Sequence, residues 1–329
     1  MHWTLKLGLA LGPMLAVSLI SALYLYQAEL IYPSSIPPGS RTQVALPHEC
    51  EMSDYDEEMI TTPDKVKLHV YAIYKRKGAA GFDIINDPVS RDGMRSRKPG
   101  SGSVADYTVL YFHANAGNMG HRLPISYLFY RCLNCNVVML SYRGYGKSEG
   151  HASEAGLKID SYTALDYIKN HPLLKHTKVI LFGQSIGGAV AINLAAERSA
   201  DIHGLIVENT FLSLPKLIPH VMPMIRNLVF LCHQVWNSEE SIRRISPSVP
   251  ILFLSGSKDE LVPQTHMRRL YEIASSQRAD EQAQEEKLDL KSRRARVDWH
   301  EFRDGTHNDT CIQSGYIERV VQFWDEQII

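Results

Sequence analysis

A five-residue stretch, Gly-Gln-Ser-Ile-Gly at 183–187, constrains the fold of this chain most strongly. A mostly apolar run at 178–182 precedes it, and a run of small residues at 188–192 follows it. Between a strand and a helix, this pattern forces its central residue into a strained turn, and small flanking residues let the two elements pass almost in contact. We therefore expect the Ser185 side chain to project above a sheet, at a helix N-terminus that favours negative charge. The stretch alone also fits a glycine-rich turn with an incidental serine.

The rest of the chain alternates apolar strands with helices. Strand patterns lie at 107–112, 137–140, 178–182, 205–208, 251–254 and 297–302. One predicted helix ends near 134, a second spans about 154–170 with Ser153 as its N-cap, and a third ends near 198. Two more predicted helices cover about 263–275 and 315–329. A hairpin is predicted from the alternation at 58–62 and 66–73. This order predicts an α/β fold whose mostly parallel central sheet is flanked by helices and binds ligands at the carboxyl edge.

The N-terminal region, residues 1–32, carries a charge-free stretch of 20 residues at 7–26. That length is about enough to cross a bilayer as a helix. We therefore predict a single-pass anchor in the endoplasmic reticulum or plasma membrane, with a cleaved signal peptide as the alternative. Lys6 before the stretch and Glu29 after it favour a cytosolic N-terminus.

Composition divides the remaining chain. Residues 33–56 are rich in Pro, Ser and Gly and are interpreted as a linker to a body at 57–329. Within that body, 78–106 and the charge-rich 276–296 are predicted to be flexible insertions, and 210–245 a short lid-like insertion.

Charge and cysteine content exclude several classes of function. The net charge of −1 provides no overall field for nucleic acid. Five cysteines, an odd and small number, argue against a disulfide framework, and no metal-binding histidine motif is present, so no cofactor or metal is expected. Residues 144–148 resemble a phosphate loop, but Ser141 stands where that motif requires glycine. The sequence leaves the oligomeric state open.

Two further residues at predicted strand ends suit nucleophilic catalysis by Ser185. Asp259 follows the strand at 251–254, and His307 lies in a polar loop after the last strand. Acyl transfer by serine needs a base to accept its proton and an acid to orient that base, and the order Ser, Asp, His is that of α/β-hydrolases. Glu208, at the end of the strand after the serine helix, is the alternative acid.

A tetrahedral intermediate also needs two N–H donors that form an oxyanion hole. One is expected to be the backbone N–H of Ile186, the residue after the serine. The other is expected from the loop at 113–117, with Asn115 as the best candidate.

Several motifs occur together in this chain. They are Tyr-Phe-His-Ala-Asn-Ala-Gly-Asn from 111, Ser-Tyr-Arg-Gly-Tyr-Gly-Lys-Ser from 141, Phe-Gly-Gln-Ser-Ile-Gly-Gly from 182, Val-Glu-Asn-Thr-Phe from 207 and Asp-Gly-Thr-His-Asn-Asp-Thr from 304. At this spacing the chain resembles the bud-emergence, or BEM-type, membrane-anchored α/β-hydrolases and their animal relatives, the α/β-hydrolase domain-containing protein thirteen family. The resemblance implies a serine hydrolase with Ser185, Asp259 and His307 as its triad. Ala114 departs from the glycine that is usual in this family, and Ser141 from the aspartate.

The substrate is suggested by neighbouring families and by the lid. Neighbouring families include protein depalmitoylases, which implies an acyl ester or thioester, on a lipid or a lipidated protein. Residues 211–225 and 228–231 are rich in Leu, Met and Phe, and either line an acyl-chain groove or belong to the core. The predicted function is acyl ester or thioester hydrolysis through an acyl-enzyme. A weakly active or inactive membrane-tethered interaction module and a serine peptidase are the alternatives.

Overall fold

In the described residues, eight strands form one mixed sheet in the order β1-β2-β4-β3-β5-β6-β7-β8. The computed structural model describes residues 14–15, 17–77, 102–287 and 296–329, without the side chains of 280–287. The pairs β1–β2 and β2–β4 are antiparallel, and the remaining pairs are parallel. The strands are β1 Tyr55–Thr61, β2 Lys67–Ile73, β3 Tyr107–Phe112, β4 Asn136–Leu140, β5 Lys178–Gln184, β6 Ile202–Glu208, β7 Ile251–Gly256 and β8 Val297–Phe302.

Helices cover both faces of this sheet. They are α1 at 17–25, α2 Gln27–Ile31, α3 Leu123–Cys132, α4 Glu154–Asn170, α5 Ile186–Glu197, α6 Leu214–Val221, α7 Ser238–Ser241, α8 Gln264–Lys287 and α9 Tyr316–Phe323. Shorter 3₁₀ turns lie at Pro47–Cys50, Met119–Arg122, Ser199–Asp201, Pro223–Leu231, Ile242–Arg244 and Thr310–Ile312, and a π turn at Trp324–Ile328.

Alternating side chains of the strands divide the interior into two cores. In β3, Leu110 and Phe112 pack with α4, α5 and α8, whereas Val109 and Tyr111 pack with α3 and α9. A strand places successive side chains on opposite faces, so a continuous apolar run such as β3 is buried on both sides. The structure confirms the predicted hairpin and the predicted parallel strands. It also confirms the N-cap at Ser153, whose side chain accepts a hydrogen bond from the Gly156 N–H.

Helix α8 differs from its prediction. It continues to Lys287, so residues 276–287, the first part of the predicted flexible insertion, are helical. The stretch lacks glycine and proline and is rich in Ala, Gln and Glu, which propagate a helix even where charge is dense. Residues 288–295 of that predicted insertion, and 78–101 of the predicted insertion at 78–106, lie outside the described residues.

The predicted linker at 33–56 packs on the body. Met52 is fully buried, Gly117 donates its N–H to the Ile36 carbonyl, and Asn118 donates to the carbonyls of Ser40 and Gln43. Its Pro, Ser and Gly residues therefore shape a fixed path. Among the described residues, no helix is both long enough and apolar enough to span a bilayer, and the anchor at 7–26 stays a prediction.

The loop after β4 ties distant elements together through Arg143. Its guanidinium donates to both carboxylate oxygens of Asp64, at 2.7 and 3.0 Å, and its Nε donates to Asp160 at 2.9 Å. The Asp160 side chain is fully buried, and burial raises its pKa to about 6. Arg143, which directly precedes the residues that resemble a phosphate loop, thus joins the β1–β2 turn to helix α4.

We predict that Arg143→Met lowers the free energy of unfolding by about 3–5 kcal/mol, because it leaves the Asp160 charge buried without its partner. Denaturant unfolding monitored by circular dichroism measures this loss. Arg198→Met is the matched control, since Arg198 pairs at the surface with Asp166 and Asp201, neither of which is buried, and its loss should cost less than about 1 kcal/mol. Equal losses in the two variants would contradict the structural role of Arg143.

Candidate active site

Ser185 occupies a strained turn between β5 and α5. Its backbone lies at φ 56° and ψ −120°, as its sequence context predicts. A Cβ added at Gly183 would lie 2.2 Å from the Gly187 carbonyl oxygen, and one added at Gly187 would lie 2.2 Å from the Phe112 oxygen. No larger residue fits at either position, because the helix crosses the strands at backbone contact. The turn places the Ser185 hydroxyl at the carboxyl edge of the sheet.

The structure brings Ser185, His307 and Asp259 into one hydrogen-bonded chain. The Ser185 Oγ lies 3.0 Å from the His307 Nε2, and the His307 Nδ1 lies 2.9 and 3.0 Å from the two carboxylate oxygens of Asp259. A carboxylate only accepts, so Nδ1 carries the proton and Nε2 is free to accept the serine hydroxyl proton. This arrangement can remove a proton from Ser185.

Backbone donors hold the Asp259 carboxylate in place. The N–H groups of Leu261 and Val262 both donate to the Asp259 Oδ1, at 2.9 and 2.7 Å. The Asp259 side chain is almost fully buried beside the similarly buried His307 ring. These donors fix the carboxylate against the imidazole, which selects the tautomer that a general base requires.

Asn209 holds the loop that carries His307. Its Nδ2 donates to the Thr306 carbonyl at 3.1 Å and lies 3.3 Å from the His307 carbonyl, while its Oδ1 accepts the Gly256 N–H at 2.8 Å. Sequence reasoning gave Asn209 no role in the site. Its place in the Val-Glu-Asn-Thr-Phe motif after a strand was the available signal.

Glu208, the alternative acid, does not touch the His307 ring. Its two carboxylate oxygens accept from Gln184 at 2.9 Å and from the Tyr316 hydroxyl at 2.5 Å. Full burial raises its pKa to about 7. The hypothesis that Glu208 orients the histidine is therefore corrected. The side chain points below the edge of the sheet, where Tyr316 and Gln184 satisfy it.

The structure also limits the part that Asn115 can take. Its side-chain amide donates to the Ile31 carbonyl, and its Oδ1 accepts from the Tyr145 hydroxyl at 2.5 Å. In the described part of the chain, the backbone N–H groups of Asn115 and Ile186 have no acceptor. The Ile186 N–H is free because it begins helix α5. Both residues line the cavity beside Ser185, so their backbone groups are the available donors.

An apolar cavity of about 410 Å³ adjoins Ser185 and His307. The predicted lid supplies one wall through α6 and the 3₁₀ helix Pro223–Leu231. Leucines and other apolar residues dominate its lining, namely Leu23, Leu30, Ile31, Phe211, Leu214, Leu217, Ile218, Val221, Met222, Ile225, Leu228, Val229, Leu231, Leu261 and Val262. Leu23 and Leu30 belong to the N-terminal helices, a wall that sequence reasoning missed because it assigned that segment to the membrane alone.

One cluster of the described residues, Asp56, Glu58 and His171, places potential metal-ligand atoms within 4.8 Å of one another. The His171 Nδ1 accepts the Leu173 N–H at 3.2 Å, so its proton resides on Nε2, beside the Tyr74 hydroxyl. That nitrogen has no lone pair left for an ion. The cluster does not fit a metal site, and it lies apart from the residues that line the cavity.

The sheet order and the serine turn define an α/β-hydrolase. A family model described as the alpha/beta hydrolase fold matches residues 107–231. The chain is 43% identical over 318 residues to protein bem46 of Schizosaccharomyces pombe, covering 96% of this chain and 92% of that protein. It is also 36% identical to an uncharacterized membrane protein of Saccharomyces cerevisiae, with 96% of each chain covered. The chain therefore belongs to the bem46 family of α/β-hydrolase proteins.

Solved structures share the fold at low identity. The esterase Pf2001 of Pyrococcus furiosus is 18% identical with a TM-score of 0.62, covering 88% of this chain and 98% of that one. An α/β-hydrolase of Vibrio vulnificus is 16% identical with a TM-score of 0.61, covering 91% and 92%. At these identities the comparison establishes the fold alone.

We predict that Asp259→Asn lowers kcat for an activated ester by about 10³–10⁴-fold, because the asparagine no longer selects the base tautomer of His307. Glu208→Gln is the matched control. It should leave kcat within about tenfold of wild type, since this carboxylate does not touch the ring. Steady-state hydrolysis of a p-nitrophenyl ester measures both variants. The opposite ranking would reassign the acid to Glu208.

Proposed function

We propose that this protein is a serine hydrolase that cleaves acyl esters or thioesters through an acyl-enzyme intermediate. The observation that carries the proposal is the Ser185 Oγ lying 3.0 Å from the His307 Nε2, in the wall of the apolar cavity. Membership of the bem46 family and the α/β-hydrolase fold support hydrolysis in general.

Acylation begins with the Ser185 hydroxyl. His307 Nε2 accepts its proton while Oγ attacks the substrate carbonyl carbon, and the carbonyl oxygen becomes an oxyanion that the N–H groups of Ile186 and Asn115 stabilise. When the bond to the leaving oxygen or sulfur breaks, His307 returns the proton to the departing alcohol or thiol. Asp259 stabilises the imidazolium between these transfers.

Deacylation repeats the sequence with water. His307 removes a proton from water, the resulting hydroxide adds to the acyl carbon, and the Ser185 Oγ leaves with the proton that His307 returns. The products are a carboxylic acid and free enzyme.

The cavity favours an acyl chain as the group that Ser185 receives. Its volume falls in the range, about 300–1,000 Å³, that is typical of small-molecule sites, and its walls are mostly apolar. A peptide substrate would leave backbone N–H and C=O groups without partners against such walls, at a cost of about 1–3 kcal/mol each. An acyl ester or thioester, carried by a lipid or a lipidated protein, therefore suits the cavity better than a peptide.

The N-terminal stretch at 7–26 supports a place for this activity beside a membrane. Its 20 uncharged residues fit a single-pass anchor, in the endoplasmic reticulum or the plasma membrane, from which a lipid-like ester is within reach. The rival hypothesis, an inactive tethered interaction module, leaves the strain of the Ser185 turn without a purpose.

A fluorophosphonate probe tests the nucleophile. We expect Ser185→Ala to abolish labelling, because no other hydroxyl in the described chain is activated by His307. Ser257→Ala is the matched control and should label like wild type, since the Ser257 hydroxyl is exposed and bonded to Glu301. Circular dichroism establishes that both variants are folded. Equal labelling of wild type and Ser185→Ala would refute the serine-hydrolase proposal.

A series of p-nitrophenyl esters of increasing chain length tests the acyl cavity. We expect kcat/KM to rise by about fourfold per added methylene until the cavity is full, since each buried CH₂ contributes about 0.8 kcal/mol. Leu228→Trp should move the optimum to shorter chains by filling the cavity. Leu173→Trp, on a surface away from the cavity, should leave it unchanged. A flat profile in wild type would argue against an acyl cavity.

A further inference from the structure

The N-terminal helices α1 and α2 contact the end of the 3₁₀ helix Pro223–Leu231 and the residues that follow it, at one end of the cavity. Gln27 donates its side-chain amide to the Leu231 carbonyl at 3.1 Å and accepts the His233 N–H at 2.9 Å. The Tyr24 ring meets the His233 ring at a centroid distance of 5.1 Å. The N-terminal segment and the lid therefore present one common surface to the outside.

That surface is apolar and exposed. Met224 is 98% exposed and Phe230 is 77% exposed, and on α1 the side chains of Leu19 and Leu25 are exposed to a similar degree. Isolated exposed apolar side chains are common on protein surfaces. A group of four large apolar side chains on adjoining elements indicates an interaction surface.

The same surface surrounds the opening of the cavity. Leu30, Val221, Met222 and Leu261 line the cavity and are also exposed to solvent, so the cavity opens between the N-terminal helices and the lid. A ligand that enters there meets a mostly apolar lining on its way to Ser185. Such a rim favours entry from an apolar phase over entry from water.

We propose that this surface, formed by α1 and the 3₁₀ helix Pro223–Leu231, rests on a lipid bilayer, with Met224 and Phe230 inserted among the acyl chains. Helix α1 at 17–25 belongs to the uncharged stretch at 7–26, so the segment that leads to the cavity opening is the one whose sequence suits lipid. Tyr24 and Tyr26 lie where aromatic residues prefer the interface. The exposed Arg226 lies on the same 3₁₀ helix as Met224 and Phe230 and suits a phosphate headgroup.

This placement implies a route by which the substrate reaches the cavity. An acyl chain dissolved in the bilayer reaches the cavity by lateral movement, without crossing water, and its carbonyl stops at Ser185. This part of the proposal rests on the proposed acyl-hydrolase function, whereas contact of the surface with lipid does not.

Insertion of the lid is tested with the full-length protein in phosphatidylcholine vesicles that contain lipids brominated along the acyl chain. Relative to wild type, the emission added by Phe230→Trp should be largely quenched. The emission added by Met59→Trp, at a 45% exposed residue of the edge strand β1, should not. Equal quenching of the two added signals would overturn the proposal. So would an unquenched signal from Phe230→Trp together with cross-linking between copies through this position, because a second copy of the chain would then cover the surface.

Entry from the bilayer is tested by activity. Met224→Ser combined with Phe230→Ser should lower hydrolysis of a long-chain ester held in vesicles by about tenfold, while hydrolysis of p-nitrophenyl acetate in solution stays at the wild-type rate. The matched control joins Met59→Ser to Leu173→Ser, both at exposed apolar residues away from the cavity, and should change neither rate. Equal loss on both substrates, or on neither, would overturn entry from the bilayer. If wild type hydrolyses no ester, the acyl-hydrolase proposal fails and the quenching result still decides the lipid contact.

Discussion

The backbone contact between β5 and α5 is the constraint on which the site depends. Gly183 and Gly187 let the helix start directly against the strands, and Gly188 leaves room for Thr210, whose hydroxyl donates to the Ser185 carbonyl at 2.7 Å. These contacts hold Ser185 at a positive φ that a free chain would avoid. The favourable packing of the central sheet offsets the free energy of that strain. The Ser185 hydroxyl is thereby held within hydrogen-bond distance of His307.

Polar groups under the site give the loops a single arrangement. Glu208, Gln184 and Tyr316 form a buried hydrogen-bonded set, and Asn209 links the ends of β6 and β7 to the His307 loop. Buried polar groups are costly when unpaired, so a satisfied set of this kind disfavours alternative loop positions. The strand ends thus supply the triad, and the residues beneath them fix its geometry.

The N-terminal segment is part of the site as well as a candidate anchor. The Asn115 side chain donates a hydrogen bond to the Ile31 carbonyl, and the Gly117 N–H donates to the Ile36 carbonyl. Leu23 and Leu30 form part of the cavity wall. The loop expected to supply an oxyanion donor therefore takes its shape partly from residues that precede the body. The proposed membrane anchor and the wall of the proposed substrate cavity share the same short piece of chain.

The order of strands and helices, the serine turn, and Asp259 and His307 as partners of Ser185 were predictable from the sequence. Each depends on a local pattern: apolar runs, glycine spacing, and polar residues at strand ends. The predicted length of α8 was too short because the high density of charge was taken to end the helix. The charged residues there are themselves good helix formers.

Tertiary structure alone decided the rest. Glu208 ends β6 and Asp259 follows β7, and only the three-dimensional fold shows which carboxylate reaches the His307 ring. Asn115 has two possible donors, its side-chain amide and its backbone N–H. Only the hydrogen bonds of the side chain with Ile31 and Tyr145 show that the side-chain amide is already used. The N-terminal wall of the cavity likewise comes from contacts between residues about 200 positions apart, such as Gln27 and Leu231. Local sequence patterns record which conformations a segment prefers, but not which distant segment it meets, because that choice is made by the packing of the whole chain.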